Sequence, residues 1–171
     1  MSMKNKLYIS LFLGLTLTAC DGDFLDKRPQ GQVSLTQLQN PKGAEGLVMG
    51  AYSLLKGDGT AGGWSANLTW GSIQADEMHK GCDPGCGVEL LDYALHRPLS
   101  TGLELLNKWK WCYNGVSRCN EAIKVLNATT GMNEDLKKRL IAEARFLRGH
   151  YHFEAKKIWN QVPYADENIT D

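Results

Sequence analysis

The stretch NEDLKKRLIAEARFLRGHYHFEAKKIW, Asn133 to Trp159, decides the fold. Leu136, Leu140, Ala144, Leu147, Tyr151, Ala155 and Ile158 recur every three or four residues, the period of an α-helix with one apolar face. Asn133 can accept hydrogen bonds from the free amides of a first turn, and Glu134 and Asp135 follow where the helix dipole favours negative charge. Asn160-Gln161-Val162-Pro163 ends the element.

Upstream, Leu106, Trp109, Tyr113, Val116, Asn120 and Ile123 predict a second long helix from about Gly102 to Asn127, with Thr129-Thr130-Gly131 as the break between the two. Asn120 interrupts an otherwise apolar stripe. A buried amide costs stability unless it is hydrogen-bonded, so Asn120 is expected to fix helix register or hold a neighbouring loop. Two long helices joined by a short turn form an antiparallel hairpin, the repeating unit of helical solenoids. Asn40-Pro41 opens an earlier helix over about 41 to 56, with Ala44, Leu47, Val48, Ala51, Tyr52 and Leu55 as its stripe. The expected fold is all-α, with helical hairpins and a long irregular loop region. The hairpin alone would leave an apolar face bare, and no closing helix precedes Asp171. The domain is therefore expected to be the N-terminal part of a larger helical one.

The N-terminus carries a different signal. Lys4 and Lys6 precede an apolar run, Leu7 to Leu17, that is too short to span a bilayer. Leu17-Thr18-Ala19-Cys20 closes it with small residues and a cysteine, the cleavage pattern of a bacterial lipoprotein. Residues 1–19 then read as a signal peptide and Cys20 as the site of acylation, each buried methylene adding about 0.8 kcal/mol of membrane retention. An ordinary secretory signal cut near Ala19 is the alternative. Residues 20–40, polar and containing Pro29, read as a lipidated tether, and 41–171 as the helical domain.

The chain has 19 basic and 19 acidic residues, and removing Lys4 and Lys6 with the leader leaves a net charge of about −2. Nothing in this balance suggests nucleic acid. With 43% hydrophobic residues a buried core is expected.

Several further segments fall into one order. These are Cys20-Asp21-Gly22-Asp23-Phe24-Leu25-Asp26 with Pro29, Gly50-Ala51-Tyr52, Trp109 with Tyr113, and Arg118-Cys119-Asn120. Then come Ala142-Glu143-Ala144-Arg145-Phe146-Leu147-Arg148-Gly149 and Trp159-Asn160-Gln161-Val162-Pro163-Tyr164. Together they resemble the N-terminal part of the SusD/RagB family. The resemblance implies a largely helical, TPR-like outer-membrane lipoprotein of Bacteroidetes-type bacteria. Such a protein binds glycans, or sometimes peptides, at the cell surface and works as a lid on a SusC-like TonB-dependent transporter. Family members are much longer, so the chain corresponds to roughly their first third. Within the Arg-rich helix, Glu143, Arg145 and Arg148 are expected to form an ion-pair network while Phe146, Leu147 and Tyr151 pack.

Gly57 to Arg97 is glycine-rich and irregular, with room for one short helix, and loops of this length tend to be functional. Sugar recognition needs aromatic faces and short polar side chains. Trp64, Asn67, Trp70, Asp76, Glu77 and His79 supply both and are the candidate ligand residues, Asp76 first because an acidic residue here also resembles the family pattern. The plainer reading is that both tryptophans pin the loop onto the helices.

Cys82 and Cys86 flank Asp83-Pro84-Gly85, good turn chemistry for a small disulfide loop in an exported protein. Free thiols, or a zinc site completed with His79, are the alternatives. Cys112 and Cys119 share a helix face about 10 Å apart along the axis, beyond disulfide reach. Cys119 is read as a small core residue. No catalytic or cofactor motif stands out: there is no Gly-x-Ser-x-Gly, His-Glu-x-x-His or Walker loop. The expectation is a binding lipoprotein without catalysis or cofactor. A lipid-anchored, metal-dependent enzyme is the weaker alternative.

Overall fold

Asn40 starts the first helix as its position requires, its side chain accepting from the amide of Gly43 at 3.0 Å while Pro41 occupies the first turn. Helix α1 spans Pro41–Ser53 and tightens into a one-turn 3-10 segment, Leu54–Lys56. A short helix α2 follows at Val88–Ala94, then two 26-residue helices, α3 at Leu103–Ala128 and α4 at Glu134–Trp159. The structure is a computed structural model and describes residues 33–56, 68–79, 81, 83, 85 and 87–169. Among the described residues there is no strand, and the fold is all-α.

Helices α3 and α4 form the predicted hairpin. Asn133 caps α4, accepting from the amides of Asp135 and Leu136 at 3.0 Å each. The pairing runs antiparallel: Lys108 meets Glu154, Trp111 meets Tyr151, and Ala122 to Leu126 share a cluster with Leu140 and Ala144. Helix α1 lies across both and closes two stacked cores. Ala44 and Val48 join the cluster at the turn end, and Ala51 and Leu54 join Trp111, Cys112, Cys119, Leu147 and Tyr151 at the other. Each large side chain so buried contributes about 1.5–3 kcal/mol.

The registers differ from expectation in three places. Leu54 is buried and Leu55 is 41% exposed, because the 3-10 turn after α1 rotates the last residues of its stripe. On α3 the buried face keeps Val116 and Ile123 of the expected stripe and is otherwise formed by Lys108, Trp111, Cys112, Gly115, Cys119 and Ala122. Leu106 is exposed, and Trp109 and Tyr113 lie half-buried on the flank. Small residues at the middle of the true face let three helices approach closely, which a stripe drawn by hydrophobicity alone does not reveal. Phe146, expected to pack, is 75% exposed on the outer face of α4.

Residues 34–40, assigned to the tether by composition, enter the fold. Leu35–Leu38 make one 3-10 turn, and Leu38 packs on the first core cluster. This turn sits so close to α1 that a Cβ at Gly43 would lie 2.5 Å from the Leu38 carbonyl oxygen.

The sequence segments quoted above turn out to be joints. Gly50 O accepts from Arg118 Nη1 at 2.9 Å, Ala51 O accepts from the Tyr151 hydroxyl at 2.6 Å, and the Tyr52 hydroxyl reaches Glu143 at 3.5 Å. These contacts fasten α1 to the hairpin. After α4, the segment 162–169 folds back along the hairpin. The Tyr113 hydroxyl donates to Pro163 O at 2.8 Å, and Asn120 Nδ2 and His152 Nε2 reach Ala165 O at 3.4 and 3.2 Å. Asn120 therefore holds a neighbouring segment, as its place in an apolar stripe predicted. The charged network takes another form than a single turn of α4. Glu143 pairs with Arg139 at 3.2 Å, whereas Arg145 and Arg148 converge on Glu167 of the returning segment.

Candidate functional site

The loop that the sequence marks as functional is anchored by buried Thr69 and Ile73, on either side of Trp70 in the turn Leu68–Ser72. Trp70 meets Tyr93 of α2 edge to face, with ring centroids 5.0 Å apart at 78°. Helix α2 is itself tied to α3. The carboxylate of Glu89 accepts from the amides of Leu103 and Glu104 at 3.2 and 3.1 Å, supplying the cap that Gly102 cannot.

A pocket of about 530 Å³ opens where these parts meet α4, within the range of small-molecule sites. Trp70, Gln74 and Tyr93 form one side; Leu105, Glu154, Lys157 and Ile158 form the other. A second hollow of about 330 Å³, lined by Ser100, Gly102, Leu106, Trp109 and Trp159, adjoins it through Leu105. Trp109 and Trp159 stand edge to face with centroids 5.0 Å apart.

The wall of the larger pocket is charged. Lys108 is 0% exposed, and its Nζ lies 3.1 Å from Glu154 Oε2 and 4.5 Å from the centre of the Trp111 ring. Lys157 Nζ takes the other carboxylate oxygen at 2.6 Å. Burial pushes the Glu154 carboxyl upward, but hydrogen bonds from Lys157 and Lys108 outweigh it and hold the group below its ordinary range. Glu154 is thus an anion clamped between two cations. The Tyr93 phenol is pushed up to about 12, first by burial and then by the charges of Glu89 and Glu104. It stays a neutral hydroxyl at any physiological pH.

Two polar atoms of the site donate no hydrogen bond among the described residues, although both are buried: Trp70 Nε1 and the Tyr93 hydroxyl. A buried donor without an acceptor costs about 1–3 kcal/mol, and functional sites are where such costs persist.

Of the residues singled out from the sequence, Trp70 lies in this pocket. It packs on Tyr93 as a loop anchor would, and it also contributes to the pocket lining. Asp76, Glu77 and His79 are exposed on the adjoining turn, outside the pocket lining. The amides of Glu77 and Met78 donate back to Ser72 O there, and Asp76 takes a left-handed φ of 59°. Trp64, Asn67, Cys20, Cys82 and Cys86 lie outside the described residues, and with them the Cys82–Cys86 disulfide and the His79 metal reading. Among the described residues no three His, Cys, Asp or Glu side chains are grouped to hold a metal ion. Cys112 and Cys119 are free and buried in the core.

Sequence reasoning missed Tyr93, Gln74, Glu154 and Lys157. Glu154 and Lys157 look like ordinary solvated helix positions, and only the rotation of α3 that buries Lys108 gives them a site. No helix among the described residues is long and apolar enough to cross a membrane.

Residues 94–171 match a family model described as SusD-like, starch-binding and associating with the outer membrane. A SusD-like protein of Bacteroides ovatus is 27% identical over 169 residues. That alignment covers 97% of this chain and 29% of the relative, so the chain spans under a third of the relative's length.

Proposed function

We propose that the chain is part of a SusD/RagB-family cell-surface lipoprotein that captures oligo- or polysaccharide for a SusC-like TonB-dependent transporter; the match of residues 94–171 to the SusD-like family model and the similarity to the Bacteroides ovatus protein support this reading. The observation that carries the ligand-binding part is the pocket of Trp70 and Tyr93. It offers an aromatic edge, two buried donors and an amide, the groups that sugar rings and hydroxyls require. Capture without turnover suits a site whose buried carboxylate, Glu154, is held ionised by two lysines and is the carboxylate of the lining among the described residues. In this reading residues 1–19 are removed, Cys20 is acylated, and the polar residues after it lead to the helical body. The family's outer-membrane association is consistent with this placement.

Affinity electrophoresis of the full-length protein against plant, host and microbial polysaccharides tests the reading. Retardation by a glycan without its degradation, abolished by Trp70→Ala in a protein of unchanged helicity, is the expected result. Failure of every glycan to retard it, with oligopeptides binding instead, would establish the peptide-binding alternative. Turnover of a glycan that stops on chelation would overturn both in favour of a metal-dependent enzyme.

A further inference from the structure

The pocket beside Trp70 leaves hydrogen-bonding capacity of both kinds unused. Trp70 Nε1 and the Tyr93 hydroxyl are buried atoms of lining residues and donate nowhere among the described residues, so two protons there lack acceptors. Trp70 sits on a single π-helical turn, Leu68–Ser72, a backbone form found mostly at functional sites. Glu154 supplies capacity of the opposite kind. An ionised carboxylate presents about four acceptor sites on its two oxygens, and Lys108 on Oε2 and Lys157 on Oε1 take one apiece. The remaining sites belong to a side chain that is 7% exposed and lines the same pocket. The two lysines hold the group below its ordinary range, so at neutral pH it accepts and does not donate. Gln74, also in the lining, adds an amide that can do both.

Few chemical groups answer donors and acceptors at once. An apolar ligand answers neither, an anion answers only the donors, and an ammonium group answers only the carboxylate. A hydroxyl gives its proton to one neighbour and its lone pairs to another, and adjacent hydroxyls of a sugar ring do so in both directions. We propose that Glu154 is a ligand-binding residue that accepts free ring hydroxyls of the captured glycan, while Trp70 Nε1 and the Tyr93 hydroxyl donate to oxygens of the same ring. The proposal rests on reading the pocket as the glycan site. It gives that site a selectivity: a ring whose hydroxyls are capped by methyl or acyl groups keeps its oxygens but has no proton for Glu154. A site built to hydrogen-bond a hydroxyl rejects an analogue that lacks it far more strongly than an apolar pocket rejects a change of size.

The test uses the full-length protein with amylose, xylan and galactan as probes, each before and after partial O-methylation, and reads affinity by calorimetry. At least one unmodified probe should bind, and its methylated form should bind about tenfold more weakly. Trp70→Phe and Tyr93→Phe keep an aromatic ring and remove one donor each, and should each cost about fivefold against either form. Glu154→Leu alone would leave the buried Lys108 without its counter-charge, so it is combined with Lys108→Met, which replaces the pair by apolar groups. That double variant, at unchanged helicity, should bind the unmodified probe about tenfold more weakly and no longer distinguish the two forms. A preference for the unmodified probe that survives in it would assign the effect to crowding by the methyl groups and overturn the inference. Equal affinity of the parent protein for both forms would overturn it as well, whether or not the double variant folds, and would leave the glycan-binding reading standing. Binding of none of the three would also overturn it, and electrophoresis against the wider panel then judges glycan capture on its own.

Discussion

The ring of Tyr151 on α4 rests directly on the backbone of α3 at Gly115, where a Cβ would lie 2.5 Å from ring atoms Cδ1 and Cγ. The same side chain donates its hydroxyl to Ala51 O of α1 at 2.6 Å and meets Trp111 edge to face at 5.2 Å. One ring therefore joins three helices, and the close approach depends on the missing side chain of Gly115.

Gly115→Ala places a methyl inside that ring. Overpacking of this kind costs roughly 1–3 kcal/mol, which exceeds the gain of up to ~1 kcal/mol in helix propensity. Urea denaturation should show a lower midpoint with an unchanged slope. A variant as stable as the parent would mean that the ring shifts freely.

Lys108→Met strips a fully buried cation from Glu154 and leaves that carboxylate with Lys157 alone. Breaking a buried pair costs about 3–5 kcal/mol, because a charge is left without its partner. The double variant Lys108→Met with Glu154→Gln should recover much of the loss, since it removes both desolvated charges. Thermal melts of the four proteins in the cycle measure the coupling, and additivity of the two changes would contradict the clamp.

The returning segment 162–169 should loosen in acid. The Arg148 hydrogen bond, above all, holds the Glu167 carboxyl below its ordinary 4.5. A group depressed in the folded state contributes stability that is present above the unfolded value and is lost as pH falls through the folded one. Protection factors at residues 162–169, which take out the intrinsic pH dependence of exchange, should therefore stay high above about pH 4.5 and fall below it. Glu167→Gln should quicken exchange at neutral pH and remove the acid step. An acid step that persists in Glu167→Gln would assign the effect to another group.

Burial pushes the Cys112 and Cys119 thiols up to about 12. At pH 8 neither presents a thiolate or an open path to reagent. Peptide mapping after brief alkylation should find both unmodified in the native protein and both modified in denaturant. Rapid native labelling of either would contradict the packing of the second core cluster.

Cys20→Ser should abolish incorporation of labelled palmitate and release the protein from the membrane fraction, since more than one acyl chain is needed for durable anchoring. Retention of the variant in membranes would point to a different attachment.

How much was legible varies with the range of the forces involved. Asn40, Asn133 and the apolar periods of α1 and α4 act within one or two turns, so caps, boundaries and hairpin could be read from local order. Asn120 was legible as an anchor because an amide in an apolar stripe must find partners, and it found Ala165 O and Arg148. Phe146 and Leu106 misled because hydrophobicity marks what prefers burial, while exposure depends on which side of a helix its neighbours occupy. Within the site, Trp70 could be named from composition, whereas Tyr93, Glu154 and Lys157 could not. They lie 23, 84 and 87 residues from Trp70 along the chain and become its neighbours only through packing.

The sequence by itself determined an all-α hairpin with its caps and its turn, because these rest on short-range hydrogen bonding and on periodicity written along the chain. Only the tertiary structure decided which face of α3 is buried, since small residues at Gly115 and Cys119 let α1 and α4 close over it. That rotation carries Lys108 into the core and obliges Glu154 to meet it, and so sets the charge of the pocket at Trp70. A buried charge must find its counter-charge wherever the fold places one, and no local pattern specifies where that will be.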